Sequence, residues 1–169
     1  MATKRSDYKN LLTPRDSTII LLNSQPELLS GIMSMDRQQL LSNTIALAKI
    51  AKIFAVPIIL SVVETEHLSG RLFPELETLI PEENLIAHST TNPWEVPAFV
   101  EAVKDVGQSR LLMAGVWTDV SLTFSALCAL EEGYDAYVVT DTSGSISAAA
   151  HEAALGSGPI KFLVRIAMS

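Results

Sequence analysis

Asn23, His88 and Ser121 lie at or just beyond the ends of three separate apolar runs, 17–23, 84–88 and 109–116. A serine hydroxyl becomes a useful nucleophile only when a base lies within hydrogen-bonding reach. Histidine is the side chain whose ordinary pKa, near 6.5, suits that role, and an amide can orient its ring. These residue types allow a candidate site with Ser121 as nucleophile, His88 as base and Asn23 as the orienting group; the alternatives are that Ser121 is the remnant of a nucleophile or an ordinary first-turn serine.

The elements that position these residues alternate between short apolar runs and longer stretches with helical spacing. Strands are predicted at "STIILLN" (17–23), "VPIILSVV" (56–63), "NLIAH" (84–88), "SRLLMAGV" (109–116), "DAYVVTD" (135–141) and "PIKFLVRI" (159–166). Helices are predicted over 36–55, 73–80, 92–107, 118–133 and 146–155. This alternation predicts one α/β domain over 1–169, with a doubly wound, mostly parallel six-stranded sheet and helices on both faces. Ligands of such sheets bind beyond the carboxyl ends of the strands, where the three polar residues should converge.

Composition narrows the class of protein. The 169 residues carry a formal net charge of −7 and no basic block, so a nucleic-acid surface is not expected. No apolar run reaches the ~18 residues of a membrane span, and the polar start "MATKRSDYKN" is unlike a secretory signal. The single cysteine, Cys128, favours a reducing compartment, and we therefore expect a cytoplasmic protein.

No metal or cofactor is expected from the residue pattern. Glu64, Glu66 and His67 form an acidic loop but lack a further ligand close by, and a solvated loop is the better interpretation. The segment "GSG" (156–158) lacks the strand–loop–helix context of a phosphate loop and is interpreted as a turn. Cys128 lies seven residues beyond Ser121, ~10 Å further along a helix, and is interpreted as a buried structural residue.

Three segments together resemble a known family. "IILLNSQPELL", "IAHSTTNPWE" and "GVWTDVSLTFSALCALEEGYDAYVVTD" are similar, in this order along the chain, to the motifs of the isochorismatase-like hydrolases, especially their small cysteine hydrolases. The resemblance implies a doubly wound parallel sheet, a small amide or other carbonyl compound as ligand, and a homo-oligomer. The family's Asp base, Lys or Arg, and Cys nucleophile fall on Asn23, His88 and Ser121, so this sequence departs from the pattern at all three positions.

The resemblance also assigns residues around this triad. Gln25, Trp94, Val116, Trp117 and Thr118 match positions near the substrate, and a cis peptide is expected between Val116 and Trp117, where backbone amides form an oxyanion hole. Two alternatives stay open: Gln25 contacts the backbone or is a plain loop residue, and Trp94 is a packing residue. His151 matches a family histidine that is expected to have a capping or interface role. The segment "GSG" also arrives one helical turn early, and relatives carry a helix beyond the position of Ser169, so we expect either a shortened C-terminal end or residues missing from this sequence around 156–158 and after 169.

The departures leave three hypotheses open. Ser121, His88 and Asn23 can form a rebuilt triad if the imidazole reaches as far as the longer Lys or Arg does. Vinyl-ether hydrolysis dispenses with the cysteine, but it needs the Asp that Asn23 replaces, because an amide does not take up a proton at useful pH and cannot act as the acid in its place. The third hypothesis is that the family reaction is lost and that the chain binds a small ligand or serves as an oligomeric partner.

Overall fold

A central sheet organises the chain. The computed structural model describes residues 11–81, 85–156 and 161–162. The strands are β1 (Ser17–Leu22), β2 (Ile58–Thr65), β3 (Leu68–Ser69), β4 (Leu85–His88), β5 (Arg110–Val116), β6 (Asp135–Gly144) and β7 (Lys161–Phe162). Six of them run parallel in the order β4-β2-β1-β5-β6-β7, and the two-residue β3 pairs antiparallel with the end of β2.

Six α-helices lie in the described part of the chain. They are α1 (Pro26–Leu29), α2 (Arg37–Phe54), α3 (Pro74–Glu77), α4 (Pro97–Val106), α5 (Thr123–Glu131) and α6 (Ala148–Gly156). A 3₁₀ turn (Pro93–Glu95) precedes α4, and a π-helical turn (Thr118–Leu122) precedes α5. The Asp36 carboxylate accepts the backbone N–H of Gln39 at 2.8 Å and caps α2, as its sequence position predicts.

The two faces of the sheet pack on different helices. One apolar cluster joins the sheet to α4 and α5 through Ile20, Leu22, Ile59, Phe99 and Ala126, and we name this side the α4/α5 face. The other cluster joins it to α2 and α3 through Ile19, Leu21, Leu60, Leu47 and Leu76. Alternate residues of each strand supply the two clusters, so every central strand is apolar on both sides. Both layers confirm the predicted doubly wound architecture.

Several boundaries differ from the sequence prediction. The helix predicted over 92–107 is divided, because Val96 is held extended before Pro97 and only α4 follows. The helix predicted over 118–133 starts with the π-helical turn, and β6 extends to Gly144 instead of residue 141. Strand β3 was not predicted. Of the predicted turn 156–158, Gly156 is the last residue of α6, while 157–158 and most of 159–166 lie outside the described residues.

The connections create a switch in winding direction between β1 and β5. The chain proceeds from β1 to β2 on one side and from β5 to β6 on the other, so the two central strands are neighbours whose connections diverge. A crevice beyond the carboxyl ends of such a pair is where doubly wound sheets bind ligands. In the described part of the chain, no helix combines the length and apolar character that crossing a membrane requires.

Candidate active site

Asn23 and Ser121 meet at this switch point. Asn23 follows β1 with φ at 56°, and Ser121 lies in the π-helical turn that follows β5. The Nδ2 group of Asn23 donates a hydrogen bond to Oγ of Ser121 at 2.9 Å. Both side chains are buried, with exposed fractions of 0% and 1%. The structure thus brings together two of the three residues that the sequence predicted to converge.

The backbone approach to Ser121 depends on Gly115 and Trp117. A Cβ at Gly115 would lie 2.8 Å from the Cβ of Leu22, so β1 and β5 come this close only because residue 115 has no side chain. Trp117 takes a left-handed conformation with φ at 65° and turns the chain into the π-helical turn. The expected cis peptide before Trp117 is not found, since none of the described residues follows a cis bond. The change of direction is made by the backbone dihedral angles of Trp117.

His88 ends β4 on the other side of β2 from β1. Its Nδ1 lies 2.9 Å from the carbonyl oxygen of Thr90, and because a carbonyl only accepts, Nδ1 carries the proton in this contact. Nε2 is therefore the basic nitrogen of the neutral ring, and it is buried without a hydrogen-bond partner among the described residues. Burial lowers the pKa of His88 below its ordinary 6.5, against the opposing effect of the bond to Thr90. The imidazole is consequently neutral at physiological pH.

The direct Ser121–His88 hydrogen bond that a rebuilt triad requires is not formed. Two strands, β2 and β1, separate β4 from β5, which places their backbones about 14 Å apart at a spacing of about 4.8 Å per strand. His88 is in register with Val63 of β2, and its Nδ1 is bonded to the carbonyl of Thr90, so this nitrogen is not available to Ser121. An imidazole is shorter than the lysine or arginine of the family pattern. Of the other two predicted residues, only Asn23 forms a hydrogen bond with Ser121.

Gln25 and Trp94, predicted near the substrate, use their polar groups within the protein. The Nε2 of Gln25 donates to the carbonyl of Val63 at 2.9 Å, and its Oε1 accepts the N–H of Val63 at 2.7 Å. The side chain thus pairs with the end of β2 like a strand residue, and it is fully buried. Trp94 donates its indole N–H to Glu132 at 2.8 Å and packs edge-on against Phe99.

A second polar cluster surrounds the start of the π-helical turn, and its groups bond to one another. Thr118 Oγ1 and His151 Nδ1 form a hydrogen bond at 3.0 Å, and Ser145 donates its hydroxyl to the carboxylate of Asp119. We name Thr118, Asp119, Ser145 and His151 the closed cluster. Burial lowers the pKa of His151, while the charges of Asp119 and Glu152 raise it. A capping or interface role for His151 stays a prediction. Its hydrogen bond to Thr118 links α6 to the turn that carries Ser121.

Thr118 and Val116 were also predicted to contact the substrate, and both side chains are buried against other parts of the protein. Thr118 is fully buried, and its carbonyl also accepts the hydroxyl of Thr123 at 2.6 Å. Val116 packs with Leu28, Ile32 and Leu40. Trp117 packs against the same apolar cluster, and its buried Nε1 has no hydrogen-bond partner within the described ranges.

Sequence analysis missed Ser61, Ser145 and Asn92. Ser61 is the lone hydroxyl within the apolar run "IILSVV", and a single polar residue in a strand buried on both faces is a signal that could have identified it. Asn92 accepts bonds from Trp94 N at 3.1 Å and from Ser125 Oγ at 3.1 Å, and thereby ties the 3₁₀ turn to α5. Ser145 follows β6, where the sequence alone predicted no site residue.

Cys128 and the acidic loop contribute no group to this site. Cys128 is a free, partly exposed thiol whose Sγ accepts from Asn92 Nδ2 at 3.5 Å, so the prediction that it is buried is only partly correct. Glu64, Glu66 and His67 are exposed. Within the described ranges, no three His, Cys, Asp or Glu side chains lie close enough together to hold a metal ion.

Fold and site define an α/β protein with a candidate ligand site at the switch point of a parallel sheet. The chain belongs to the isochorismatase family, since residues 17–159 match the Isochorismatase domain. It is 38% identical over 137 residues to the "Probable hydrolase YcaC" of Escherichia coli K12, a match that covers 80% of this chain. The chain spans 66% of the length of that curated relative.

Solved structures agree with this assignment. A structure of YcaC from Pseudomonas aeruginosa, with hexane-2,5-diol and covalent acrylamide, superposes with a TM-score of 0.86 at 35% identity, covering 91% of this chain and 78% of that one. The Escherichia coli YcaC structure, described as an octameric hydrolase of unknown specificity, gives a TM-score of 0.85 at 34% identity, with 90% and 76% covered. The nicotinamidase SaPncA of Staphylococcus aureus, which is 15% identical with 92% of this chain and 100% of that one covered, shares the fold with a TM-score of 0.76.

Proposed function

We propose that this chain binds a small amide or related carbonyl compound at the carboxyl ends of β1 and β5, and that it has lost the cysteine-hydrolase mechanism of its family. One observation carries this proposal: the side chain that contacts Ser121 Oγ is an amide, which accepts no proton at useful pH in either orientation of its group. Without a base in contact, a serine hydroxyl stays protonated and is a poor nucleophile.

The ligand class is inferred from relatives and from the chemistry of the site. The YcaC structure from Pseudomonas aeruginosa holds a covalent acrylamide, which is itself a small primary amide. Asn23 offers an amide group and Ser121 a hydroxyl, both of which hydrogen-bond readily to amide and carbonyl groups. Neither side chain is charged, so the pair suits a neutral ligand.

The second candidate function is a hydrolase in which His88 serves Ser121 as base. The unpartnered Nε2 of His88 favours it, because the bond from Nδ1 to Thr90 leaves Nε2 free to accept a proton. The lowered pKa also keeps the ring in its basic form near neutral pH. Since the two residues are not in contact, this mechanism needs a bridging water or a movement of β4 relative to β5.

We also propose a homo-oligomer in the cytoplasm. Exposed apolar side chains, among them Met33 and Ile53 at 75% exposure, offer surface for contact with another copy. The octameric Escherichia coli relative supports the same inference. The cytoplasmic location rests on the single cysteine, which is free in the structure. Light scattering after size exclusion tests the assembly, and a monomeric mass at micromolar concentration contradicts it.

Restoring the family's residue types tests the loss of mechanism. The triple variant Asn23→Asp, His88→Lys, Ser121→Cys is assayed beside the unmodified chain on a panel of small primary amides, with ammonia release as the readout. We expect turnover by the triple variant and none by the unmodified chain. The variant Asn23→Asp, His88→Lys, Ser121→Ala, which retains both charges but has no nucleophile, is the matched control. Turnover of any amide by the unmodified chain, lost in Ser121→Ala, contradicts the proposal and supports the second candidate.

A further inference from the structure

Three buried polar atoms without a hydrogen-bond partner come from neighbouring strands at the same end of the sheet. They are Asn23 Oδ1 after β1, Ser61 Oγ in β2 and His88 Nε2 at the end of β4, and we name these three residues the open cluster. Their exposed fractions are 0%, 0% and 5%. A buried polar group without a partner costs about 1–3 kcal/mol, so a native protein that keeps several together places a water or a ligand among them.

Strand register locates the three side chains relative to one another. Ser61 is in register with Leu22 of β1 and with Ile86 of β4, and both of these belong to the α4/α5 face. Because side chains alternate along a strand, Ser61 and His88 point to this same face. Asn23 reaches it as well, since its amide bonds to Ser121 just before α5.

The spacing suits one small ligand. Neighbouring strands lie about 4.8 Å apart and rise about 3.3 Å per residue, which places the Cα of Ser61 about 6 Å from Asn23 and about 8 Å from His88. These separations between Cα atoms are of the size expected for side chains that contact one group of a few heavy atoms.

The donors and acceptors of the open cluster define which hydrogen-bonding atoms a bound group must have. Asn23 Oδ1 only accepts, and His88 Nε2 accepts because its Nδ1 proton is used by Thr90. Ser61 can donate or accept. None of the three carries a formal charge, and burying an ion without a counter-charge is costly. The complement is a neutral group with two N–H donors and one acceptor.

We propose that Asn23, Ser61 and His88 form a binding subsite for the –CONH₂ group of a neutral ligand, with Ser61 as a specificity-determining residue. The two amide hydrogens are donated to Asn23 Oδ1 and His88 Nε2, and the amide oxygen accepts the hydroxyl of Ser61. The inference rests on the proposed function, because it gives the polar contacts for the ligand class inferred there. It excludes carboxylates and amides without N–H groups from the subsite.

Saturation-transfer NMR on the full chain tests this with acetamide, N,N-dimethylacetamide and acetate as probes. We expect the Kd for acetamide to be at least tenfold lower than for either of the other two. Ser61→Ala should raise the acetamide Kd about fivefold, the effect of one neutral hydrogen bond. Thr18→Val is the matched control, since Thr18 Oγ1 is also buried without a partner but lies at the opposite end of β1, and its acetamide Kd should stay within twofold.

The outcomes separate this inference from the proposed function. Equal binding of the three probes to the unmodified chain, or no binding, overturns the subsite even if Ser61→Ala does not fold. An equal loss in Ser61→Ala and Thr18→Val overturns the role of Ser61. Acetate appearing in the acetamide sample contradicts the loss of the hydrolytic mechanism, whereas the binding comparison among the three probes still decides the subsite.

Discussion

Two polar clusters lie side by side at the carboxyl ends of the strands and differ in how their atoms are bonded. In the closed cluster, Thr118 bonds to His151 and Ser145 bonds to Asp119. In the open cluster, Asn23, Ser61 and His88 each retain a buried atom without a partner. Each cluster contains one histidine whose pKa burial lowers. Residue types alone therefore do not distinguish them.

This difference in bonding suggests a structural role for the closed cluster and a ligand-binding role for the open cluster. A cluster whose side chains hydrogen-bond to one another holds backbone elements together, here the π-helical turn, the end of β6 and α6. A cluster with unpartnered atoms is stabilised only when something else supplies the partners. The closed cluster positions the turn that carries Ser121, and the open cluster is where we place the ligand.

The largest expected effect comes from Gly115→Ala, which disturbs both clusters by separating β1 from β5. The new methyl group would meet Leu22, whose backbone in the middle of a sheet cannot shift freely. We expect a loss of about 3 kcal/mol in the free energy of unfolding, measured by urea denaturation. Gly31→Ala is the control, because the nearest atom to its added Cβ lies at 3.6 Å, and it should change stability by less than about 0.5 kcal/mol. Similar losses in both variants would contradict the explanation.

The next largest effect is expected when a serine of the closed cluster is replaced by alanine. Ser145→Ala removes the hydroxyl that donates to the Asp119 carboxylate, and we expect a loss of about 2 kcal/mol in unfolding free energy because the bond is to a charged group. Urea denaturation provides the measurement. A Ser145→Ala protein as stable as the unmodified chain would show that the closed cluster does not brace the turn.

Acidification should destabilise the protein through the histidines of both clusters. Burial lowers the folded-state pKa of His88 and His151 below the ordinary 6.5, so the unfolded chain binds more protons as the pH falls through that value. The free energy of unfolding should therefore decrease between pH 7.5 and 5.5. The double variant His88→Asn, His151→Asn should have a flatter dependence in denaturation series across this range. An unchanged slope would exclude these two residues as its source.

The smallest effect has the opposite sign and belongs to the open cluster. Ser61→Ala removes a buried hydroxyl that has no partner in the ligand-free chain, so we expect no loss of stability and a gain of up to about 1 kcal/mol. Urea denaturation without added amide is the measurement, compared directly with Ser145→Ala. A loss as large as that of Ser145→Ala would remove the distinction between the clusters.

The sequence predicted the layered fold and the positions of Asn23 and Ser121, because the alternation of apolar runs determines where parallel strands end. It did not predict the π-helical turn, since the apolar spacing of 118–133 resembles that of an α-helix. Hydrogen-bond partners were also beyond sequence reasoning: the sequence left Gln25 open between ligand and backbone, and the structure pairs it with the backbone of Val63 in β2. The contact between Thr118 and His151 joins residues far apart in the chain, and no local pattern reports it.

The central claim is that no base activates Ser121, and covalent labelling tests it most directly. The full chain is incubated with a fluorophosphonate probe at pH 7.5 and then analysed by intact-mass spectrometry, with Ser121→Ala as the control. Because the neighbour of the hydroxyl is the Asn23 amide, we predict no added mass on either protein. A stoichiometric adduct on the unmodified chain that is absent from Ser121→Ala would show an activated serine and contradict the account.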